Sequence, residues 1–157
     1  MTVPLPSTLD AARRYAAAGL CVLPAIREGD DKRVALRLWK PYQTRLPTPA
    51  EHARWFAGPA RRDLCLVCGR VSGNLEMIDF DLAGVAFEPW RARVESVCPG
   101  LIGRLVVETT PSRGRHVAYR CSDPVCGNMK LAQRSFDAPG ADPIEVAGKR
   151  FTPRKGP

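Results

Sequence analysis

Apolar positions recur along this chain in two periods, and the switches between them lay out its elements. Leu9, Ala12 and Ala16 return at helical spacing behind Ser7 and Thr8, either of which can cap a first helix, and Gly19 stops it. Leu20 to Ile26 reads as a strand ending near Pro24, and the charged stretch from Arg27 to Leu38 as a loop exposing Lys32, Arg33 and Arg37. Thr48, Pro49 and Glu51 predict a helix start: a cap, a proline in the first turn, and an acid three residues after the cap. Trp55 and Phe56 supply that helix's apolar bulk. Leu64 to Cys68 and Leu75 to Phe80 read as strands on either side of a turn at Ser72, Gly73 and Asn74. Phe87, Trp90, Val94 and Val97 form an apolar helical stripe that Pro99 and Gly100 end. Arg104 to Thr109 and Arg115 to Cys121 read as strands of a hairpin turning through Pro111 to Gly114, and Ile144 to Ala147 as a last short strand.

Strands outnumber helices, yet helices intervene between several of them. That order predicts an α+β (α/β-like) domain with a mixed sheet. Residues 122–142 are the least patterned and read as an irregular excursion, and no internal repeat is visible. The predicted organisation is one domain over residues 1–150, followed by a basic, proline-containing tail at 151–157 that reads as a linker to an absent C-terminal region.

The 157 residues are 45% apolar, enough for a real core. Lys and Arg number 24 against 16 Asp and Glu, a net charge of +8, which favours an anionic partner such as nucleic acid or nucleotide. No run approaches the ~20 apolar residues of a membrane span, and the N-terminus lacks the basic region and long apolar run of a signal peptide. A cytoplasmic protein without membrane association is expected. Of the six cysteines, Cys65 and Cys68 form C-x-x-C on a strand, where three positions apart means opposite faces. Cys121 and Cys126 flank a turn, so a four-cysteine zinc site is conceivable, but free thiols in a reducing compartment are the better reading.

Candidate chemistry begins in Leu75–Phe80 and the residue after it. Asp79 and Asp81 are two apart on a strand and project from one face, while Ile78 and Phe80 can enter the core on the other. Like charges held that close repel, and a divalent cation relieves the repulsion. His116 follows the turn Ser112-Arg113-Gly114-Arg115, whose backbone N–H groups, hydroxyl and two guanidinium groups could meet a phosphate. Glu145 sits between Ile144 and Val146 and faces away from them, so it could complete a three-carboxylate metal site. Lys149 and Arg150 follow as candidate phosphate contacts. Trp39 and Trp55 are candidates for base stacking, with buried packing the stronger reading for Trp55; Lys32 and Lys40 are weaker candidates for template or nucleotide contact.

Nearly the whole chain resembles the N-terminal primase-polymerase (prim-pol) domain of bifunctional DNA primase/polymerases, in the archaeo-eukaryotic primase superfamily. The resemblance runs through RRYAAAGLCVLPAI, DKRVALRLWKPYQT, ARWF, DLCLVCGRVSGNLEMIDFD, RLVVETTPSRGRHVAYR and DPIEVAGKR. It places the family's two-carboxylate motif on Asp79 and Asp81, its nucleotide-binding histidine on His116 and its third acid on Glu145, with Asp142 and Asp137 as rivals. It implies a single domain whose mixed, RRM-like central sheet is flanked by helices. The chain departs from the family pattern at Arg113, where a second glycine is usual, and at Ala147, where an arginine is frequent.

The activity so implied is template-directed nucleotidyl transfer by a DNA primase/polymerase. Asp79, Asp81 and Glu145 would hold two Mg²⁺ or Mn²⁺ ions, and His116 with Ser112, Arg113 and Arg115 would position a dNTP or NTP. Implied partners are a single-stranded DNA template and primer and a helicase domain or subunit, in a phage- or plasmid-type replication context. Two rivals stand beside this reading: a module that binds nucleic acid or nucleotide without polymerising, and a metal-dependent nuclease.

Overall fold

The computed structural model describes residues 6–29, 31–58, 62–124, 127–132, 144–146 and 149–151. The chain divides into two compact units, Met1–Glu76 with Arg120–Val125, and Met77–Tyr119 with Cys126–Pro157.

In the first unit, α1 (Thr8–Ala17) starts where Ser7 accepts a hydrogen bond from the Asp10 N–H. Gly19, at φ +75°, turns the chain out of the helix into β1 (Cys21–Glu28). β1 is the centre of an antiparallel sheet with β2 (Asp31–Val34) on one side and β3 (Asp63–Val67) on the other. Cys21 to Pro24 are buried without alternation because both faces of the sheet are covered. On one face Val22 packs with Ala12 of α1 and with Phe56 of α2 (Pro49–Phe56). On the other, Cys21 and Leu23 pack with Tyr42, Trp39 and Val71.

Two expectations change here. The strand does not stop at Pro24, and the charged stretch after it is not all loop. Pro24 sits opposite Leu64, and its carbonyl accepts from the Ala35 N–H at 2.7 Å. In an antiparallel ladder a residue's N–H and C=O face the same neighbour, so the missing proton lies on the side where β2 has already ended. Beyond Pro24 the hairpin to β2 turns at Gly29 (φ +61°), and Arg33 bridges Glu28 and Asp31 at 3.7 and 3.4 Å. An exposed edge strand needs no apolar alternation, which is why its charges read as loop.

α2 begins with the expected capping box: Thr48 accepts from the Glu51 N–H, and the Glu51 carboxylate accepts from the Thr48 N–H at 2.7 Å. That carboxylate also takes two bonds from the Arg45 guanidinium, at 2.7 and 2.9 Å, and one from the Tyr42 hydroxyl at 2.6 Å. Arg45 in turn lies over the Tyr42 ring.

In the second unit, β5 (Val106–Thr109) and β6 (Arg115–Arg120) form the expected hairpin, with Glu108 opposite His116 and Val107 opposite Val117. β4 (Leu75–Phe80) joins β6 on its other side, giving the order β4-β6-β5. Phe80 lies against Gly114, and Asn74 bonds Cys121, so β4 and β6 also run antiparallel. α3 (Phe87–Val97) covers one face: Phe80, Phe87 and Val117 form its core with Ile78, Trp90 and Leu105. β7 (Ile144–Val146) and β8 (Lys149–Phe151) make a separate two-stranded hairpin, with Phe151 of β8 falling in sequence read as tail.

The α+β class stands, but the single mixed, RRM-like central sheet does not. Two three-stranded antiparallel sheets take its place. Which strands pair is decided by long-range contacts that periodicity along the chain does not carry. No helix among the described residues is long and apolar enough to cross a membrane.

The Glu51 cluster has a pH signature. The Arg45 guanidinium, with the Thr48 N–H and the Tyr42 hydroxyl, holds the Glu51 carboxyl well below the usual carboxylate range. A carboxyl depressed on folding stabilises the fold above its unfolded-state value near 4.5 and loses that contribution as pH falls below it. Glu51→Gln should therefore lower unfolding stability at pH 7 by about 1–2 kcal/mol, a charge-assisted network discounted for the half-exposed Arg45. In denaturant titrations the gap to wild type should narrow as pH drops from 5 to about 3; a gap that does not change with pH would contradict the assignment.

Candidate active site

The β4-β6-β5 sheet is two-faced. On β4, Phe80 is 8% exposed in the core beneath α3, whereas the Asp79 side chain is 57% exposed on the opposite face. Asp81 follows with φ −67° and ψ −175°, an extended backbone, so the alternation continues through it and it shares the Asp79 face. Immediately beyond, Leu82, Ala83 and Gly84 take φ values of +54°, +55° and +71°. Left-handed backbone costs an L-residue roughly 1–2 kcal/mol. Two non-glycine residues accept it here, at the end of the acidic strand, which is where functional sites concentrate such strain.

His116 lies on β6, one residue before the fully buried Val117, and so faces away from α3. Its Nε2 is 3.5 Å from Asp79 Oδ1 and its Nδ1 is 3.1 Å from Glu108 Oε1. Asp79, His116 and Glu108 thus form a row across the three strands. Sequence reasoning missed Glu108; the signal available was the hairpin register, which sets it opposite His116.

The turn between β5 and β6 is tightly specified. Thr110 N–H bonds the Gly114 carbonyl at 3.0 Å and Arg113 N–H bonds the Thr110 carbonyl at 2.9 Å. Arg113 takes φ +63°, the region where glycine is at ease. A Cβ on Gly114 would stand 2.6 Å from the Phe80 carbonyl oxygen and 2.9 Å from Thr110 Oγ1. Ser112 and Arg113 are exposed at the tip, with Ser112 Oγ 3.1 Å from Thr110 Oγ1. Arg115 behaves differently. Its guanidinium bonds the carbonyls of Arg113 and Gly114 at 3.3 and 3.2 Å and lies 5.8 Å from the Phe87 ring centroid, on the α3 side of the sheet. Arg115 and His116 therefore do not share a face.

Glu145 and Arg150 are exposed and stand opposite each other on β7 and β8; the side chain of Lys149 lies outside the described residues, as do Asp137, Asp142, Cys126 and Ala147. Among the described residues no group of three His, Cys, Asp or Glu side chains that could hold one metal ion is found. Cys21, Cys65, Cys68, Cys98 and Cys121 are free thiols. Burial pushes Cys21 up to about 11 and Cys65 upward, which opposes the thiolate that zinc requires. Trp39 and Trp55 both pack against the Tyr42 cluster of the first unit.

The donors on the polar face suit a hard divalent cation in kind: exposed carboxylates two residues apart on extended backbone, in a chain of net charge +8. They supply two acids of the expected three. A family model described as bifunctional DNA primase/polymerase, N-terminal, matches residues 12–150. No curated protein and no solved structure matches the chain.

The fit at Gly114 gives a direct test of this geometry. Gly114→Ala should destabilise the fold by roughly 1–3 kcal/mol, as overpacking against rigid backbone does, and shift the backbone amide signals of Phe80 and His116 in NMR spectra. A stability within 0.3 kcal/mol of wild type would show that β4 does not approach the turn this closely.

Proposed function

The chain belongs to the N-terminal domain family of bifunctional DNA primase/polymerases, and from that premise we propose that it catalyses template-directed nucleotidyl transfer, extending or initiating a strand on single-stranded DNA. The observation that carries this reading is the polar face of the β4-β6-β5 sheet. It sets Asp79 and His116 3.5 Å apart, with Asp81 at the strand end facing the same way. A carboxylate pair beside an imidazole combines an acceptor for cations with a donor for phosphate oxygens.

Asp79 and Asp81 would hold Mg²⁺ or Mn²⁺, with Glu145 the proposed third acid from β7. Divalent ions bound there supply charge neutralisation for the triphosphate and lower the pKa of the attacking 3′-hydroxyl. His116 orients the triphosphate and offsets charge on the departing pyrophosphate. Ser112 and Arg113, exposed at the hairpin tip, would donate to phosphate oxygens. Arg115 contributes by tying down the carbonyls of that turn rather than by direct contact. Lys149 and Arg150 would add positive charge near the third acid. The domain proposed to do this spans residues 1–150. Basic surface elsewhere would follow the template backbone, with affinity falling steeply as salt rises.

The second reading is a module that binds nucleotide or DNA without joining nucleotides. Primer extension with Mn²⁺ and labelled dNTPs separates the two. Asp79→Ala and Asp81→Ala should each reduce extension by roughly 100-fold or more while DNA binding is retained, since a metal ligand matters at least as much as the groups that orient it. Extension that survives either change would sink the polymerase assignment of that acid. Absence of any product from the wild-type chain favours the binding module, and degradation of DNA without dNTP favours a nuclease.

A further inference from the structure

Glu108 has no part in the three-acid scheme. It lies on the edge strand β5, directly across from His116, with Oε1 3.1 Å from the imidazole Nδ1. On the far side of the ring, Nε2 is 3.5 Å from Asp79 Oδ1. We infer that Glu108 is the positioning residue of His116: it accepts a hydrogen bond from Nδ1–H and so fixes the rotation of the ring, turning Nε2 toward the Asp79 side of the sheet.

An ionised carboxylate only accepts hydrogen bonds, so the nitrogen facing Glu108 carries a proton. Nε2 is thereby the nitrogen that meets a ligand arriving at the acidic side, a division of labour between ring nitrogens that the partner of the other nitrogen sets. The backbone register makes the contact: β5 and β6 are joined by a short turn whose Gly114 admits no side chain, so residue 108 cannot slide from residue 116 without opening the hairpin. The identity of the ligand as a nucleoside triphosphate rests on the nucleotidyl-transfer reading; the positioning itself does not.

Two variants separate positioning from a merely structural ion pair. Glu108→Gln keeps an acceptor oxygen and should hold the ring as Glu108 does; Glu108→Leu keeps the length and removes the acceptor. The affinity for dATP with Mg²⁺, by equilibrium binding, should weaken about three- to tenfold in Glu108→Leu, the worth of one hydrogen bond, and within twofold or less in Glu108→Gln. In primer extension the same loss should fall on KM, with kcat within about twofold.

Unchanged dATP affinity in Glu108→Leu overturns the inference, as does equal weakening in both variants. Absence of extension by the wild-type chain overturns the polymerase reading alone. The binding measurements then still decide the role of Glu108.

Discussion

The site depends on one constraint: the β4-β6-β5 sheet must bury one face. Phe80 and Val117 lie under α3 with Phe87, and each large apolar side chain removed from water contributes about 1.5–3 kcal/mol. Because strand side chains alternate strictly, burying Phe80 forces Asp79 and Asp81 outward and burying Val117 does the same to His116. A slip of one residue would put acids and imidazole against the aromatic cluster and expose its rings. The apolar core of this unit is therefore the device that aligns the polar row.

Electrostatics then gives that row its character. The chain carries net charge +8, yet on this face Asp79 and Glu108 flank His116, with Asp81 at the strand end. An acidic strip within a basic protein attracts cations while its surroundings attract polyanions, and a metal–nucleotide complex presents both. The left-handed turn at Leu82–Gly84 and the close approach of Gly114 to Phe80 both border the strip, so the backbone accepts local strain to hold it.

Much of this was legible along the chain, for reasons that differ by residue. The alternation around Ile78, Asp79, Phe80 and Asp81 needs only the period of a strand, and the start of α2 needs only Thr48, Pro49 and Glu51. The β5–β6 hairpin was visible because its turn chemistry is local. What was not visible depended on pairing. β2 was obscured because an exposed edge strand can be wholly charged, and the division into two sheets depends on long-range partners. Glu108 acquires meaning only once the hairpin register sets it opposite His116. Arg115 is the instructive case. Proximity in sequence grouped it with His116, although one step along a strand already implies opposite faces, and its place over Phe87 follows from that.

The central claim is that the outward row on β4 and β6 receives a metal–nucleotide complex. Its most direct test is anomalous diffraction from crystals grown with Mn²⁺ and a non-hydrolysable dNTP. The account predicts a manganese peak bound by carboxylate oxygens of both Asp79 and Asp81, with the triphosphate within hydrogen-bonding reach of His116 Nε2. Saturating manganese and nucleotide with no peak at these two acids, or a triphosphate seated on the α3 side of the sheet, would contradict it.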